Sequence, residues 1–77
     1  MREKILSMLE TEYPEIDFNI TDSLIDDGVL DSLTITGIIS LLSLEFQVMI
    51  PYEEIVEENF NSLDAMVVLM KKLGIEE

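Results

Sequence analysis

The 77-residue chain contains no cysteine and no histidine, and it has three glycines. Without cysteine it can form no disulfide framework, thiolate nucleophile or cysteine-ligated metal site. Without histidine it lacks the commonest general base and the commonest nitrogen ligand for metals. Three glycines are too few for a glycine-rich loop that cradles phosphates. The sequence therefore predicts one small domain, residues 1–77, that is not an enzyme.

Basic residues are almost as scarce, and they lie at the two ends of the chain. The chain has seventeen acidic residues, and its formal net charge is −13. The four basic residues are Arg2, Lys4, Lys71 and Lys72. A surface of one sign argues against nucleic acid or anionic lipid as a ligand and favours a basic protein partner. The 48% apolar share is typical of a folded protein rather than a disordered acidic tail.

The longest stretch with few charges is Leu33 to Ile50, in which Glu45 is the one charged residue. Threonine, serine and glutamine interrupt this stretch and no basic residue flanks it, so it is not predicted to span a membrane. The chain also does not open on a basic and apolar leader. We expect a soluble, cytoplasmic monomer.

Periodicity and capping signals predict an all-α four-helix bundle with three main helices, one short helix and a long first loop. The first helix runs from about Arg2 to Glu12, before Pro14. A loop over residues 14–31 follows, held on the core by apolar anchors. A second helix begins after Asp31, a short acidic turn follows Pro51, and a last helix is capped by Asn61 or Ser62 and ends at Gly74. The expected core positions are Ile16, Phe18, Ile20, Leu24, Ile25, Val29 and Leu30 in the loop, Ile35, Ile38, Ile39, Leu42 and Phe46 in the second helix, and Leu63, Met66, Val67, Met70 and Leu73 in the last.

Four carboxylates near the second helix raise the question of a metal site. They do not fit a calcium-binding EF-hand loop, because a loop that starts at Asp22 has Leu24 at its third position and Leu33 at its twelfth. No dedicated metal site is predicted, although a divalent-cation sensor stays open as an alternative. The four residues are Asp22, Asp26, Asp27 and Asp31.

Ser32 is the candidate functional residue. It follows the predicted N-cap Asp31, so its hydroxyl should be exposed beside unpaired backbone N–H groups, where a phosphate diester is favoured. No histidine exists and every lysine is terminal, so the serine has no general base and is not a hydrolase nucleophile. It would instead accept a modification made by another enzyme.

The residues around Ser32 resemble the attachment-site signature of acyl and peptidyl carrier proteins. The resemblance lies in the segment Leu24–Leu33 (LIDDGVLDSL) and continues, in order, through Phe46–Pro51 (FQVMIP) and Glu58–Leu63 (ENFNSL). It therefore covers most of the chain. The carrier family consists of four-helix domains of this length whose long first loop ends in Asp-Ser-Leu.

The resemblance implies that Ser32 carries a 4′-phosphopantetheine arm, donated by coenzyme A, whose thiol holds cargo as a thioester. It implies that Asp31 and Leu33 are recognised by the phosphopantetheinyl transferase. It also implies two further partners, a ligase that loads the acyl or aminoacyl group and a downstream synthase or transferase. An unmodified acidic adaptor that binds a basic protein surface is the alternative.

The chain departs from fatty-acid carriers along the second helix, where threonine, serine and glycine stand in place of carboxylates. Together with Glu58-Asn59-Phe60, this looks more like carriers of aminoacyl, including D-alanyl, or specialised acyl groups. We expect an apolar partner face formed by Leu33, Gly37, Leu41 and Leu44, with Gly37 leaving room for a partner. A second hypothesis places Met49, Met66 and Met70 around an adaptable space between the second and last helices, with ordinary core filling as the alternative.

Overall fold

Four α-helices and one turn of 3-10 helix form the protein in a computed structural model, which describes residues 1–20 and 22–75. The helices are α1 (Arg2–Glu12), α2 (Ser32–Phe46), α3 (Glu57–Phe60) and α4 (Leu63–Lys72), and the 3-10 turn spans Tyr52–Glu54. No strand occurs in this part of the chain. The predicted all-α architecture, with its three main helices, one short helix and long first loop, is confirmed.

The capping signals of the sequence fix the helix ends. The Asp31 side chain accepts a hydrogen bond from the Thr34 amide at the start of α2, and the Ser62 side chain accepts one from the Ala65 amide at the start of α4. Ser62 is thus the cap of the last helix, and Asn61 is not. At the other end of α4, Gly74 has φ +93°, and the Gly74 and Ile75 amides donate to the Lys71 and Met70 carbonyls. These are the hydrogen bonds of a Schellman C-cap.

The core lies where α4 packs against α1 and α3, with α2 and the first loop closing the remaining side. Three loop residues are buried, Phe18, Leu24 and Leu30, so the prediction that the loop packs on the core is confirmed. Ile20 is an exception, because it is 67% exposed. The buried apolar residues are Ile5, Leu9, Phe18, Leu24, Leu30, Ile38, Leu42, Ile50, Phe60, Leu63, Met66, Leu69 and Met70.

Two of the expected core sets are narrower than predicted. In α2, Ile38 and Leu42 are buried, while Ile35, Ile39 and Phe46 are half-buried at the edge of the core. In α4 and its C-cap, the predicted core residues Val67 and Leu73 are half-buried. Periodicity missed Leu69, which is 1% exposed.

The expected methionine cluster does not form. Met66 and Met70 are fully buried, but Met49 is 87% exposed. Met49 precedes the buried Ile50 in the non-helical segment after α2, where successive side chains point in opposite directions. The prediction that Met49 shares a space with the other two is therefore wrong.

Ion pairs connect distant parts of the surface within residues 1–20 and 22–75. The Arg2 Nε lies 2.8 Å from the Asp64 Oδ1. The Lys4 Nζ lies 3.5 Å from the Glu45 Oε2, and the Lys72 Nζ lies 2.9 Å from the Glu54 Oε2. The Lys4 ammonium also lies 5.1 Å from the centre of the Phe46 ring. The few basic residues thus hold α1 to α4, α1 to α2, and the 3-10 turn to α4.

None of the helices within residues 1–20 and 22–75 is long and apolar enough to cross a membrane.

Candidate functional site

Ser32 is the first residue of α2 and is exposed. The residue before it, Asp31, has extended backbone angles, and its Oδ1 accepts a hydrogen bond of 2.8 Å from the Thr34 amide. The Ser32 carbonyl accepts a hydrogen bond of 2.8 Å from the Thr36 hydroxyl, which adds a side-chain contact to the first turn. Ser32 therefore presents its hydroxyl to solvent from a well-anchored helix end.

The capping hydrogen bond also sets the charge of Asp31. The hydrogen bonds from Thr34 lower the pKa of the Asp31 carboxyl below its ordinary value of 3.8. A carboxylate with a lowered pKa is a weaker base, and this one is already engaged by an amide. Asp31 is thus built as a cap rather than as the base that would activate Ser32.

The loop before Ser32 is a tight turn that folds back on Leu24. The Leu24 carbonyl accepts hydrogen bonds from the Val29 amide (2.9 Å) and the Leu30 amide (3.1 Å). Gly28 closes the turn with φ +76°, a backbone conformation that glycine adopts without strain. The side chains of Leu24 and Leu30 are buried, so both ends of the turn are fixed to the core.

Asn61, in the junction between α3 and α4, holds this turn from outside. Its side-chain Oδ1 accepts a hydrogen bond of 2.8 Å from the Ile25 amide and lies 3.4 Å from the Asp26 amide. The Asn61 Nδ2 donates to the Asp26 carboxylate at 3.0 Å. The Asn61 backbone carbonyl accepts from the Leu24 amide at 2.6 Å. The sequence offered Asn61 as a helix cap, and its contacts with the loop were not predicted.

The four residues of the expected partner face do not share one open surface. Leu33 is 83% exposed and Leu44 is 78% exposed. Gly37 and Leu41 are half-buried and face α1 instead. A Cβ atom at Gly37 would overlap the Tyr13 hydroxyl, so the space beside this glycine is already occupied by the Tyr13 side chain. The prediction that Gly37 leaves space for a partner is wrong.

Leu41 lines an open groove of about 420 Å³ between α1 and α2. The groove is lined by Lys4, Ser7, Met8, Thr11, Glu12, Leu41 and Glu45.

Acidic side chains surround the start of α2, and Asp26, Asp27 and Asp31 are all exposed. Across residues 1–20 and 22–75, no group of three or more acidic side chains is arranged to hold a metal ion. What the site offers chemically is an accessible hydroxyl at a helix N-terminus, in an acidic surrounding.

Comparison with the models of known protein families, with characterised proteins and with solved structures finds no match to this chain.

Proposed function

We propose that the protein is an acyl or aminoacyl carrier whose Ser32 bears a 4′-phosphopantetheine arm. The observation that carries the proposal is the exposed position of Ser32 at the first residue of α2, directly after the N-cap Asp31. The resemblance of residues 24–33 to carrier attachment sites supports it. So does the four-helix architecture with a long first loop.

The residues present fit such a group. The Ser32 hydroxyl is accessible to a modifying enzyme, and the positive end of the α2 dipole favours a phosphate diester at this point. In the modification, the Ser32 oxygen forms the new phosphate ester bond while the pyrophosphate bond of coenzyme A breaks. Adenosine bisphosphate leaves, and the hydroxyl proton passes to a base of the transferase. The arm then supplies the thiol that this cysteine-free chain lacks.

Asp31 and Leu33 are the residues that the transferase would recognise. Asp31 presents a carboxylate in a fixed orientation, because the Thr34 amide holds one of its oxygens. Leu33 presents an apolar side chain that is 83% exposed one residue beyond the serine. A charged and an apolar contact thus flank the hydroxyl.

We propose further that the cargo is an aminoacyl or specialised acyl group rather than an ordinary fatty acid. The part of α2 nearest Ser32 carries uncharged polar side chains, and Thr36 and Ser40 are exposed. The loading enzyme would therefore meet hydroxyl groups and Leu33 there rather than a row of carboxylates.

The test is incubation with coenzyme A and a phosphopantetheinyl transferase of broad specificity, followed by intact mass measurement. We expect the wild-type protein to gain one phosphopantetheine, and the Ser32→Ala variant to gain none. Because Ser32 is exposed, its replacement should change the free energy of unfolding by less than about 1 kcal/mol. Ser40→Ala, which removes another exposed hydroxyl from α2, is the matched control and should be modified normally.

Two outcomes would contradict the proposal. A wild-type protein that stays unmodified would favour the acidic adaptor. A Ser32→Ala variant that still gains the arm would move the attachment site to another residue.

A further inference from the structure

The Asn61 side chain makes several hydrogen bonds with the turn that precedes Ser32. Its carboxamide uses both of its ends, accepting from the Ile25 amide at 2.8 Å and donating to the Asp26 carboxylate at 3.0 Å. These contacts join residues that are 36 and 35 positions apart in the chain. A contact so distant in sequence cannot come from local turn chemistry.

A separate backbone connection runs through the Leu24 peptide toward Ser32. The Leu24 N–H donates to the Asn61 backbone carbonyl at 2.6 Å, and the Leu24 C=O accepts from the Val29 and Leu30 amides. Leu30 lies two residues before Ser32. Two consecutive hydrogen bonds therefore link the junction between α3 and α4 to the start of α2.

The hydrogen bonds within the turn are local. Residues 24–30 form turns and bends rather than a helix, in which the Asp27 amide donates to the Ser23 carbonyl at 2.7 Å and the Gly28 amide donates to the Ile25 carbonyl at 3.0 Å. The Asn61 side chain adds contacts from a distant part of the chain. Leu24 and Leu30 anchor the ends of the turn in the core, while Asp26, Asp27 and Gly28 between them are exposed. Without the Asn61 side chain, the partly buried Ile25 amide would lose its acceptor, and the turn would open more readily.

We propose that Asn61 is a positioning residue for Ser32, which fixes the turn over residues 24–30 and thereby the direction in which α2 presents the hydroxyl. The inference rests on the proposed function insofar as a modifying enzyme reads that position. The geometric part concerns the unmodified chain alone and can be measured without any transferase.

The first measurement is amide hydrogen exchange and chemical shifts of the unmodified protein. We expect Asn61→Ala to speed exchange at the Ile25 and Leu30 amides by about tenfold or more and to move the Ser32 amide resonance. Asn59→Ala is the matched control. Asn59 is also a half-buried asparagine at this junction, but it binds the Glu54 carbonyl at 2.7 Å, so its replacement should leave the turn unchanged.

The second measurement is the kinetics of modification by the transferase, at a temperature where both variants are fully folded. If the transferase must first order a loosened turn, its affinity for the carrier falls while the rate of the chemical step stays the same. We therefore expect Asn61→Ala to raise KM by about tenfold with kcat nearly unchanged. Asn59→Ala should leave both constants unchanged, since a general loss of stability does not alter KM while the protein stays folded.

A reciprocal exchange tests the hydrogen bond itself. Asn61→Asp places a second carboxylate against Asp26, so it should raise KM at least as much as Asn61→Ala. Adding Asp26→Asn restores a donor and an acceptor with their positions exchanged and returns the net charge to that of the wild type. The double variant should recover a KM within about threefold of the wild-type value.

The outcomes separate this inference from the proposed function. If the wild type is never modified, the proposed function fails, and hydrogen exchange alone decides whether Asn61 holds the turn. If the wild type is modified and Asn61→Ala keeps the wild-type KM, the inference is overturned while the carrier proposal stands. Unchanged exchange at Ile25 and Leu30, or no recovery in the double variant, also overturns it.

Discussion

Asp31 is both the N-cap of α2 and the charged residue directly before Ser32. The predicted N-cap is present, because its carboxylate accepts from the Thr34 amide at 2.8 Å. The same hydrogen bonds lower its pKa below 3.8. The charge of the residue beside Ser32 and the stability of the start of α2 therefore depend on one carboxyl group.

The pH dependence of this cap has a definite sign. Because the pKa of Asp31 is lower in the folded state than its ordinary value of 3.8, the cap contributes full stability above that ordinary pKa. This contribution is lost as the pH falls through the lower pKa of the folded state. The pKa of Glu54 is also lowered, chiefly by the hydrogen bond from Lys72, so the stability that this carboxylate contributes is likewise lost as the pH falls.

We expect the cap to be visible in the difference between the wild type and Asp31→Asn. Asparagine also caps helices well but does not titrate in this range. The melting temperature of the wild type relative to the variant should therefore fall as the pH is lowered below about 4. Glu58→Gln, which removes one exposed charge from α3, is the control. A difference between wild type and Asp31→Asn that does not change with pH would show that the carboxylate adds nothing as a cap.

The contact between α1 and α2 depends on a glycine that helix propensity alone would call unfavourable. Tyr13, the C-cap residue of α1, places its hydroxyl where a Cβ atom of residue 37 would lie, and its Cζ lies 3.4 Å from that position. Glycine inside a helix costs about 1 kcal/mol relative to alanine, so helix propensity alone favours Gly37→Ala. The structure supplies the opposing effect, because alanine must displace the tyrosine ring.

A double-mutant cycle separates the two effects. In the Tyr13→Phe background the overlapping hydroxyl is gone, and Gly37→Ala should raise the free energy of unfolding by about 1 kcal/mol from helix propensity. In the wild-type background, Gly37→Ala should raise the free energy of unfolding by less than this, or should lower it. Ser40→Ala, made in both backgrounds, should give the same change within about 0.5 kcal/mol. Equal effects of Gly37→Ala in the two backgrounds would contradict the proposed overlap.

The accuracy of the sequence predictions follows the range of the interactions involved. The bounds of α1, the caps Asp31 and Ser62 and the end of the last helix at Gly74 depend on neighbouring residues and were predicted. The contact of Asn61 with the loop and that of Gly37 with Tyr13 join separate elements, and no local pattern marks them. The exposure of Met49 was missed because its position follows from how α2 ends, at Gln47 with φ 51°.

The distribution of charge is a property of the entire chain. Fourteen acidic residues lie between Ile5 and Met70, a range with no basic residue. Glu45, Glu54 and Asp64 form ion pairs with basic residues near the two ends of the chain. A net charge of −13 nevertheless leaves a large excess of one sign, and exposed ion pairs contribute about 0–1 kcal/mol each.

We therefore expect added salt to stabilise the protein. Screening weakens these ion pairs, but it weakens the repulsion among the excess carboxylates more. The melting temperature should rise with sodium chloride, and millimolar magnesium should raise it further than the same ionic strength of sodium. A melting temperature that falls with salt would show that the ion pairs outweigh the repulsion.

The Asn61 contacts also impose an order in time. A chain emerging from the ribosome exposes Ser32 well before Asn61, which is 29 residues later in the sequence. At about 5–20 residues per second, that interval is on the order of a few seconds. During it, the turn before Ser32 lacks the partner that later holds it through Leu24 and Ile25. The nascent protein thus exposes the serine before the Asn61 contacts with the preceding turn can form. If Ser32 accepts the proposed arm, we therefore expect the modification to be faster after translation than during it.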